Sequence, residues 1–296
     1  MIEDSKAYWA WLQLSLGEGS FKPKRILSYF PDIPSFYDAG PIQWRSLGLF
    51  TPKELKQLSQ NTLEDGKILI ASSEEKGIQT ITPACKAYPQ RLYQIDNPPC
   101  MLYVKGTLPN LDEQPALAVV GTRNATTTGK QITYDLSMQL AQAGMVIISG
   151  GAKGIDTAAH QGALQGNGIS VCVLGCGIEY PYLMENESMR RSIAEHGAII
   201  SEFPVTKPAF KHHFPIRNRI ISGLSVGVLV VEAAERSGSL ITARTALEQN
   251  RDVFAVPCGI YNPVSEGVNN LIKAGAKPVT NVQDILEEYT NTYLLS

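Results

Sequence analysis

Glycines, hydroxyls and basic side chains follow two of the short apolar runs in this sequence. The two groups are Gly121, Thr122 and Arg123, and Ser149, Gly150, Gly151 and Lys153. A glycine-rich loop that opens a helix turns its backbone N–H groups towards an anion, and a lysine in that loop favours phosphate. The alternative is a tight strand-to-helix turn that needs glycine only for its backbone angles.

A second pattern is the segment 204–223, which has no acidic residue although the whole chain carries a net charge of -2. Its cations alternate with rings: Lys207, Phe210, Lys211, His212, His213, Phe214, Arg217 and Arg219. Cations can follow the phosphates of a single strand while rings stack on its unpaired bases. The pattern favours single-stranded nucleic acid over a solvated loop whose phenylalanines pack on the core.

The familiar cofactor and metal motifs are missing from the sequence. A dinucleotide fingerprint fails because Tyr180 follows Gly175-Cys176-Gly177 where a third glycine is needed, and Gln131 after Gly129-Lys130 breaks a Walker A loop. The five cysteines make no CxxC pair and form no metal-spaced cluster with the four histidines. We therefore predict no cofactor, no structural metal and no disulfide.

The sequence offers only weak signals for catalysis. A serine nucleophile with His160 as base lacks the G-x-S-x-G turn that would expose it. Glu202 and Glu232 both follow apolar runs and could form a carboxylate pair. Such residues more often hold loop N–H groups or pair with arginine, so we predict no enzymatic activity.

The elements that must position these residues follow from the apolar runs. Six runs alternate with helical stretches and predict a parallel sheet covered on both faces, over residues 116–120, 145–149, 169–174, 198–201, 226–231 and 252–256. Residues 67–71, 77–82 and 101–104 could add edge strands. Ligands of open α/β sheets bind beyond the carboxyl ends of the strands, so Arg123, Lys153, Arg217 and Arg219 should converge there.

Two regions of different character make up the chain. Residues 1–66 alternate short helical patterns with glycine and proline and predict a small helical domain, and residues 67–296 predict the sheet domain. With 44% hydrophobic and 18% charged residues the composition is that of a globular protein. The absence of a long apolar stretch and of a secretory signal predicts a cytoplasmic protein away from the membrane.

Several short segments of the sequence resemble the motifs of the DNA-processing protein A family (DprA, also called Smf) and occur in the same order. They are Val120-Gly-Thr-Arg123, Ser149-Gly-Gly-Ala-Lys-Gly-Ile-Asp156, Phe214-Pro-Ile-Arg-Asn-Arg-Ile-Ile221, Ser237-Gly-Ser-Leu-Ile-Thr-Ala243 and Val253-Phe-Ala-Val-Pro257. Thr122 stands where serine is common and Cys258 where glycine is expected. We expect no winged-helix tail and therefore no duplex binding through one.

The resemblance implies an extended Rossmann domain after a sterile-alpha-motif-like domain. It also implies a homodimer that binds single-stranded DNA and loads the RecA recombinase on it during natural transformation. Carried over by motif position, the DNA contacts would be Arg123, Ser149, Gly150, Gly151, Lys153, Arg217, Asn218 and Arg219, to which the loop and ring patterns add Gly121, Thr122 and Phe214.

Two further expectations concern assembly and the competing function. Leu271 and Ile272, in a late helical segment, are expected in a dimer interface formed by the C-terminal half. The alternative function is a nucleotide phosphoribohydrolase, whose Rossmann-like sheet is similar. Its PGGxGTxxE pattern is absent here, because the loop after residues 226–231 reads EAAERSGSLIT.

Overall fold

A computed structural model describes residues 2–293, with side chains from residue 5 onward. A single nine-stranded sheet organises these residues. Its strands are β1 (Gln79–Ile81), β2 (Leu102–Gly106), β3 (Ala116–Val120), β4 (Val146–Ser149), β5 (Ser170–Leu174), β6 (Ala198–Ser201), β7 (Gly227–Val230), β8 (Asp252–Ala255) and β9 (Lys277–Pro278).

The strand order is β1-β2-β6-β5-β4-β3-β7-β8-β9. The strands from β6 to β9 in this order run parallel, whereas β2 pairs antiparallel with both β1 and β6. This architecture confirms the predicted Rossmann-like α/β fold and all six predicted parallel strands. The expected edge strands at 77–82 and 101–104 are β1 and β2, whereas β9 was not predicted.

Helices cover both faces of the sheet, and the helices of the structure are α1 (Ile2–Leu16), α2 (Lys22–Ile26), α3 (Ile33–Ser46), α4 (Pro52–Gln60), α5 (Leu63–Glu74), α6 (Gln90–Tyr93), α7 (Thr127–Gln142), α8 (Ile155–Gln165), α9 (Glu187–His196), α10 (His213–Gly223), α11 (Gly238–Glu248), α12 (Glu266–Lys273) and α13 (Gln283–Tyr289). Alternate residues of β3 belong to different cores, as strand geometry requires. Ala118 packs with α10, α11 and α12, and Leu117 packs with α7, α8 and α13.

The N-terminal helices α1 to α5 enclose an aromatic core. Trp11, Phe36 and Trp44 are buried with ring centroids 5.6–5.9 Å apart. The predicted strand at 67–71 is wrong, because these residues lie inside α5. A reciprocal capping box between Thr62 and Asp65 starts this helix, and capping of that kind stabilises a helix where an apolar run alone is ambiguous.

The helical region is fastened to the sheet by hydrogen bonds to one residue after β6. Gln13 Nε2 donates to the backbone oxygen of Glu202 at 3.2 Å, and the Gly19 N–H donates to its carboxylate at 2.9 Å. Helix α5 continues through residue 66, the expected domain boundary. Among residues 2–293, no helix combines the length and apolarity needed to cross a membrane.

Candidate functional site

A cavity of about 340 Å³ opens at the carboxyl edge of the sheet. It lies where the strand order reverses, because the chain runs from β3 outwards to β6 and then returns to place β7 on the other side of β3. Such switch points are where open α/β sheets bind ligands. The lining comes from the loop after β3, the start of α8, the first turns of α10 and the N-terminus of α11.

Arg123 and Phe214 form the accessible cationic part of this cavity. The Arg123 side chain is exposed, and its guanidinium lies 5.0 Å from the centroid of the Phe214 ring. Among the described residues Arg123 makes no ion pair within 4.0 Å and donates no side-chain hydrogen bond. A guanidinium stacked on a ring keeps its N–H groups free for phosphate. Tyr182 extends the aromatic surface, with its ring centroid 5.7 Å from that of Phe214.

Arg217 also lines the cavity, but its guanidinium is largely used by the protein itself. The residue is buried, and Nη1 donates to the backbone oxygens of Gly150, at 2.8 Å, and Val173. Its Nε donates to Asn218 Oδ1 at 3.3 Å. Burial lowers the pKa of Arg217 while nearby Asp156 opposes that change. Arg217 therefore ties the ends of β4 and β5 to α10.

Asp156 places a buried carboxylate beside the same loop. Its Oδ2 accepts a hydrogen bond from the Ala152 N–H at 3.3 Å, so the protein itself supplies an anion to the loop at the start of α8. Burial raises the pKa of Asp156, and Arg217 opposes this rise. A Cβ on Gly150 would lie 2.7 Å or less from Arg217 and Asp156 atoms, so glycine is needed for their approach.

The neighbouring loop residues have mainly structural contacts. Ser149 is buried, and its hydroxyl donates to the Val119 oxygen at 2.6 Å across β3 and β4. Gly151 has φ +65°, a conformation that favours glycine, and an added Cβ would lie 2.6 Å from Cys172 Sγ. Gly121 and Thr122 line the cavity, as Asn218 does. The tight-turn interpretation of the glycine loop therefore has direct support.

Two of the four cations expected to converge lie elsewhere. Lys153 is exposed and pairs with Glu185 at 2.6 Å, on the other side of the loop from the cavity. Arg219 is buried in a pair with Glu202, with one Nη2 atom 2.7 Å from each carboxylate oxygen. The basic segment 204–223 is helical from His213, so Arg217 and Arg219 project from different sides of α10.

The predicted DNA contacts did not include a group of hydroxyls that the structure places in the cavity. Ser237, Ser239 and Thr242 line it at the start of α11, and the two serine oxygens are 2.8 Å apart. Hydroxyls beside a helix N-terminus can donate to an anion that the helix dipole also favours. Their position directly after the apolar run 226–231 was the available signal.

The groups considered for catalysis have other partners. Glu232 accepts hydrogen bonds from the N–H and hydroxyl of Thr126, at 2.9 and 2.6 Å, and so holds the start of α7. Glu202 is paired with Arg219, so the two glutamates form no carboxylate pair. His160 is buried with Nδ1 2.8 Å from the Ser170 oxygen, and burial lowers its pKa to about 3. Residues 5–293 contain no metal-binding cluster of His, Cys, Asp or Glu.

The fold and the cavity define a Rossmann-like α/β protein with an arginine and an aromatic ring at the switch point of its sheet. A sequence model of the family described as DNA recombination-mediator protein A matches residues 79–290. The chain belongs to this family, the DNA processing protein A (DprA or Smf) proteins.

Named relatives support this membership. DNA processing protein DprA of Bacillus subtilis is 43% identical over 220 residues, 74% of each chain. Protein Smf of Synechocystis is 37% identical over 292 residues, which are 97% of this chain and 73% of that protein. The X-ray structure of DprA from Streptococcus pneumoniae matches with a TM-score of 0.80 and 34% identity, covering 94% of this chain and 97% of that one.

A second solved structure adds a ligand to the comparison. DNA processing protein A from Helicobacter pylori matches with a TM-score of 0.65 and 31% identity, covering 73% of this chain and 97% of that one. That structure was described for its single-stranded DNA binding mode.

Proposed function

We propose that this protein binds single-stranded DNA in the cavity at the sheet edge and presents the strand to RecA during natural transformation. The observation that carries the proposal is the Arg123–Phe214 pair, an exposed cation 5.0 Å from an aromatic ring and without an ion pair in the described part of the chain. Phosphate and base are the two groups that every nucleotide offers, and this pair suits both without reading sequence. The hydroxyls of Ser237, Ser239 and Thr242 supply further donors.

The structure refines which residues we propose as DNA contacts. Arg123, Phe214 and the α11 hydroxyls face the cavity with side-chain donors or ring surface to offer. Arg217 and Gly150 shape the cavity rather than contact phosphate, because Arg217 already serves two backbone oxygens and lies near Asp156. Arg219 is omitted, because its guanidinium is buried against Glu202.

A gel-shift comparison of single-stranded and duplex DNA tests the proposal. We expect preference for the single strand, and a loss of affinity in Arg123→Ala and Phe214→Leu. Arg45→Ala is the matched control, because Arg45 is an exposed arginine on α3 without an ion pair within the described residues. Equal affinity of Arg123→Ala and wild type for single strands would show that the cavity is not the DNA-binding site.

The proposed role is non-enzymatic, and no observation favours the phosphoribohydrolase alternative. Glu232, which follows β7 in the corresponding loop, holds Thr126 instead of facing the cavity with a free carboxylate. Release of adenine from AMP by the purified protein would contradict this part of the proposal.

The proposed homodimer uses the C-terminal half of the sheet domain. Leu271 and Ile272 pack partly buried against the core, and Leu271 lines a groove with Leu247, which is 60% exposed. An exposed leucine beside a groove of mixed apolar and charged residues is a surface that a second copy can bury. Light scattering should give twice the monomer mass, and Leu247→Asp should lower it to the monomer value.

A further inference from the structure

A second cavity, of about 470 Å³, lies between α7 and α8 on the other side of the 152–154 loop. We infer that it holds the nucleotide next to the one in the Arg123 cavity, so that the strand crosses the loop and is bound on both sides. This inference rests on the proposed binding of single-stranded DNA. It assigns Lys130, Tyr134 and Lys153 to the path of the strand.

The lining of this cavity has the chemistry of a nucleotide subsite. Lys130 and Tyr134 lie one turn apart on α7, and Lys153 and Thr157 face them from the α8 side. Lys130 is exposed and, within residues 5–293, makes no ion pair and no side-chain hydrogen bond. Tyr134 is half-buried. Two ammonium groups suit a phosphate, and an accessible aromatic ring suits a base.

The loop at residues 152–154 lies between the two cavities. Ala152 lines the first and Lys153 the second, so adjacent residues of one loop face different cavities. The Ile155 N–H donates to the Thr122 oxygen at 3.3 Å, and a Cβ on Gly154 would lie 2.6 Å from the Arg123 oxygen. The loop that carries Arg123 therefore touches the start of α8 directly, and in the inferred path the strand crosses this contact to pass from one cavity to the other.

The acidic neighbour of Lys153 does not close the subsite. Glu185 pairs with Lys153 at 2.6 Å, but the two side chains are 59% and 51% exposed. An exposed pair of this kind is screened by solvent and contributes little to stability. A phosphate of the strand can replace Glu185 as the partner of Lys153. Lys130 has no ion pair within residues 5–293, so it can bind a phosphate without losing one. Lys130 is therefore the residue that tests the inference.

The experiment measures affinity for dTMP and for oligo-dT strands that lengthen one nucleotide at a time from it. We expect Lys130→Ala to bind dTMP like wild type and strands of two or more nucleotides several-fold more weakly. For longer strands its log-log salt plot should flatten by about 0.7, the value for one single-strand phosphate. Tyr134→Leu should lose about 5-fold or more on the same strands, as expected for a stacked base, while Tyr134→Phe retains affinity.

The controls separate this inference from the proposed function. Lys56→Ala, at an exposed lysine of α4, should match wild type at every length. Arg123→Ala should be weaker at every length, including the shortest strands. If wild type and Arg123→Ala behave in this way but Lys130→Ala matches wild type on all strands, the second subsite is refuted while the first cavity stands. If Lys130→Ala weakens only free dTMP, the cavity is a mononucleotide site and the inference is wrong.

Discussion

Replacement of Arg219 by methionine tests whether this arginine stabilises the fold or contacts DNA. Arg219 and Glu202 are 5% and 1% exposed, and one guanidinium nitrogen lies 2.7 Å from each carboxylate oxygen. Methionine retains much of the side-chain volume but removes the charge. The Glu202 carboxylate is then left buried with a single side-chain hydrogen bond, from the Gly19 N–H at 2.9 Å.

The expected loss of stability follows from the buried, unpaired Glu202 carboxylate that remains in the variant. Loss of one partner of a buried ion pair costs about 3–5 kcal/mol of unfolding free energy. The lower end applies here, because Arg219 Nε and Nη1 have no hydrogen-bond partner in the described part of the chain and their removal relieves a cost. A loss of about 3 kcal/mol corresponds to a fall of roughly 6–12 °C in the Tm of a domain of this size.

The loss of stability in Arg219→Met should depend on pH. Burial raises the pKa of Glu202 in the folded protein, and Arg219 opposes that rise. Without Arg219 the folded pKa rises further above the unfolded value. The variant therefore recovers stability as the pH falls towards the unfolded pKa, where a neutral Glu202 carries no charge to bury. The stability deficit should be smaller at pH 5 than at neutral pH.

Thermal unfolding followed by circular dichroism at both pH values measures the deficit. A double variant, Glu202→Gln with Arg219→Met, is the matched control and should recover most of the Tm, because no charge remains buried. The folded single variant should bind single-stranded DNA with an unchanged salt slope. An unchanged Tm together with a slope flattened by about 0.7 would show that Arg219 contacts phosphate and that its pairing is unimportant.

Three further predictions concern the pocket and the core. Arg123→Ala should flatten the salt dependence of single-strand binding by about 0.7 on every base composition; an unchanged slope in a titration against Arg45→Ala contradicts this. Gly150→Ala should lose about 1–3 kcal/mol in urea unfolding and weaken DNA binding, because the added Cβ displaces Arg217 and Asp156, whereas Gly259→Ala has open space. Because His160 has a pKa of about 3 when folded, wild type should lose about 2 kcal/mol from neutral pH to pH 5 relative to His160→Gln; parallel pH profiles would refute this.

The parallel strands could be predicted because burial on both faces leaves a direct mark on the sequence. Each of the six runs is short and mainly apolar, and most are followed by a glycine-containing loop, which is typical of a strand inside a doubly covered sheet. The run at 67–71 has the same composition, yet it is helical. Its distinguishing signal was the Thr62 and Asp65 capping pair upstream, not the apolar residues themselves.

The location of the site could also be predicted, but the roles of its residues could not. Strand carboxyl ends gather at one edge whatever the loops contain, and this alone places Arg123 and the glycine loop there. The expected convergence of Arg219 with the other cations was wrong, because the end of the segment is helical and Arg219 pairs with Glu202. In the helix α10, residues two apart lie on nearly opposite sides, so Arg217 and Arg219 cannot both face one cavity.

The contrast between Arg123 and Arg217 shows what three-dimensional contacts add to a motif. Both arginines belong to motifs of the family, and both line the same cavity. The sequence therefore gives no reason to expect a stronger phosphate contact from one than from the other. Arg217 is buried beside Asp156 and serves two backbone oxygens, and a phosphate placed there would meet a carboxylate. Arg123 is exposed on Phe214 and, within the described residues, has no carboxylate within 4.0 Å, although its charge also opposes the rise in the pKa of Asp156. Binding energy for a strand should therefore come from Arg123, while Arg217 preserves the shape that makes Arg123 effective.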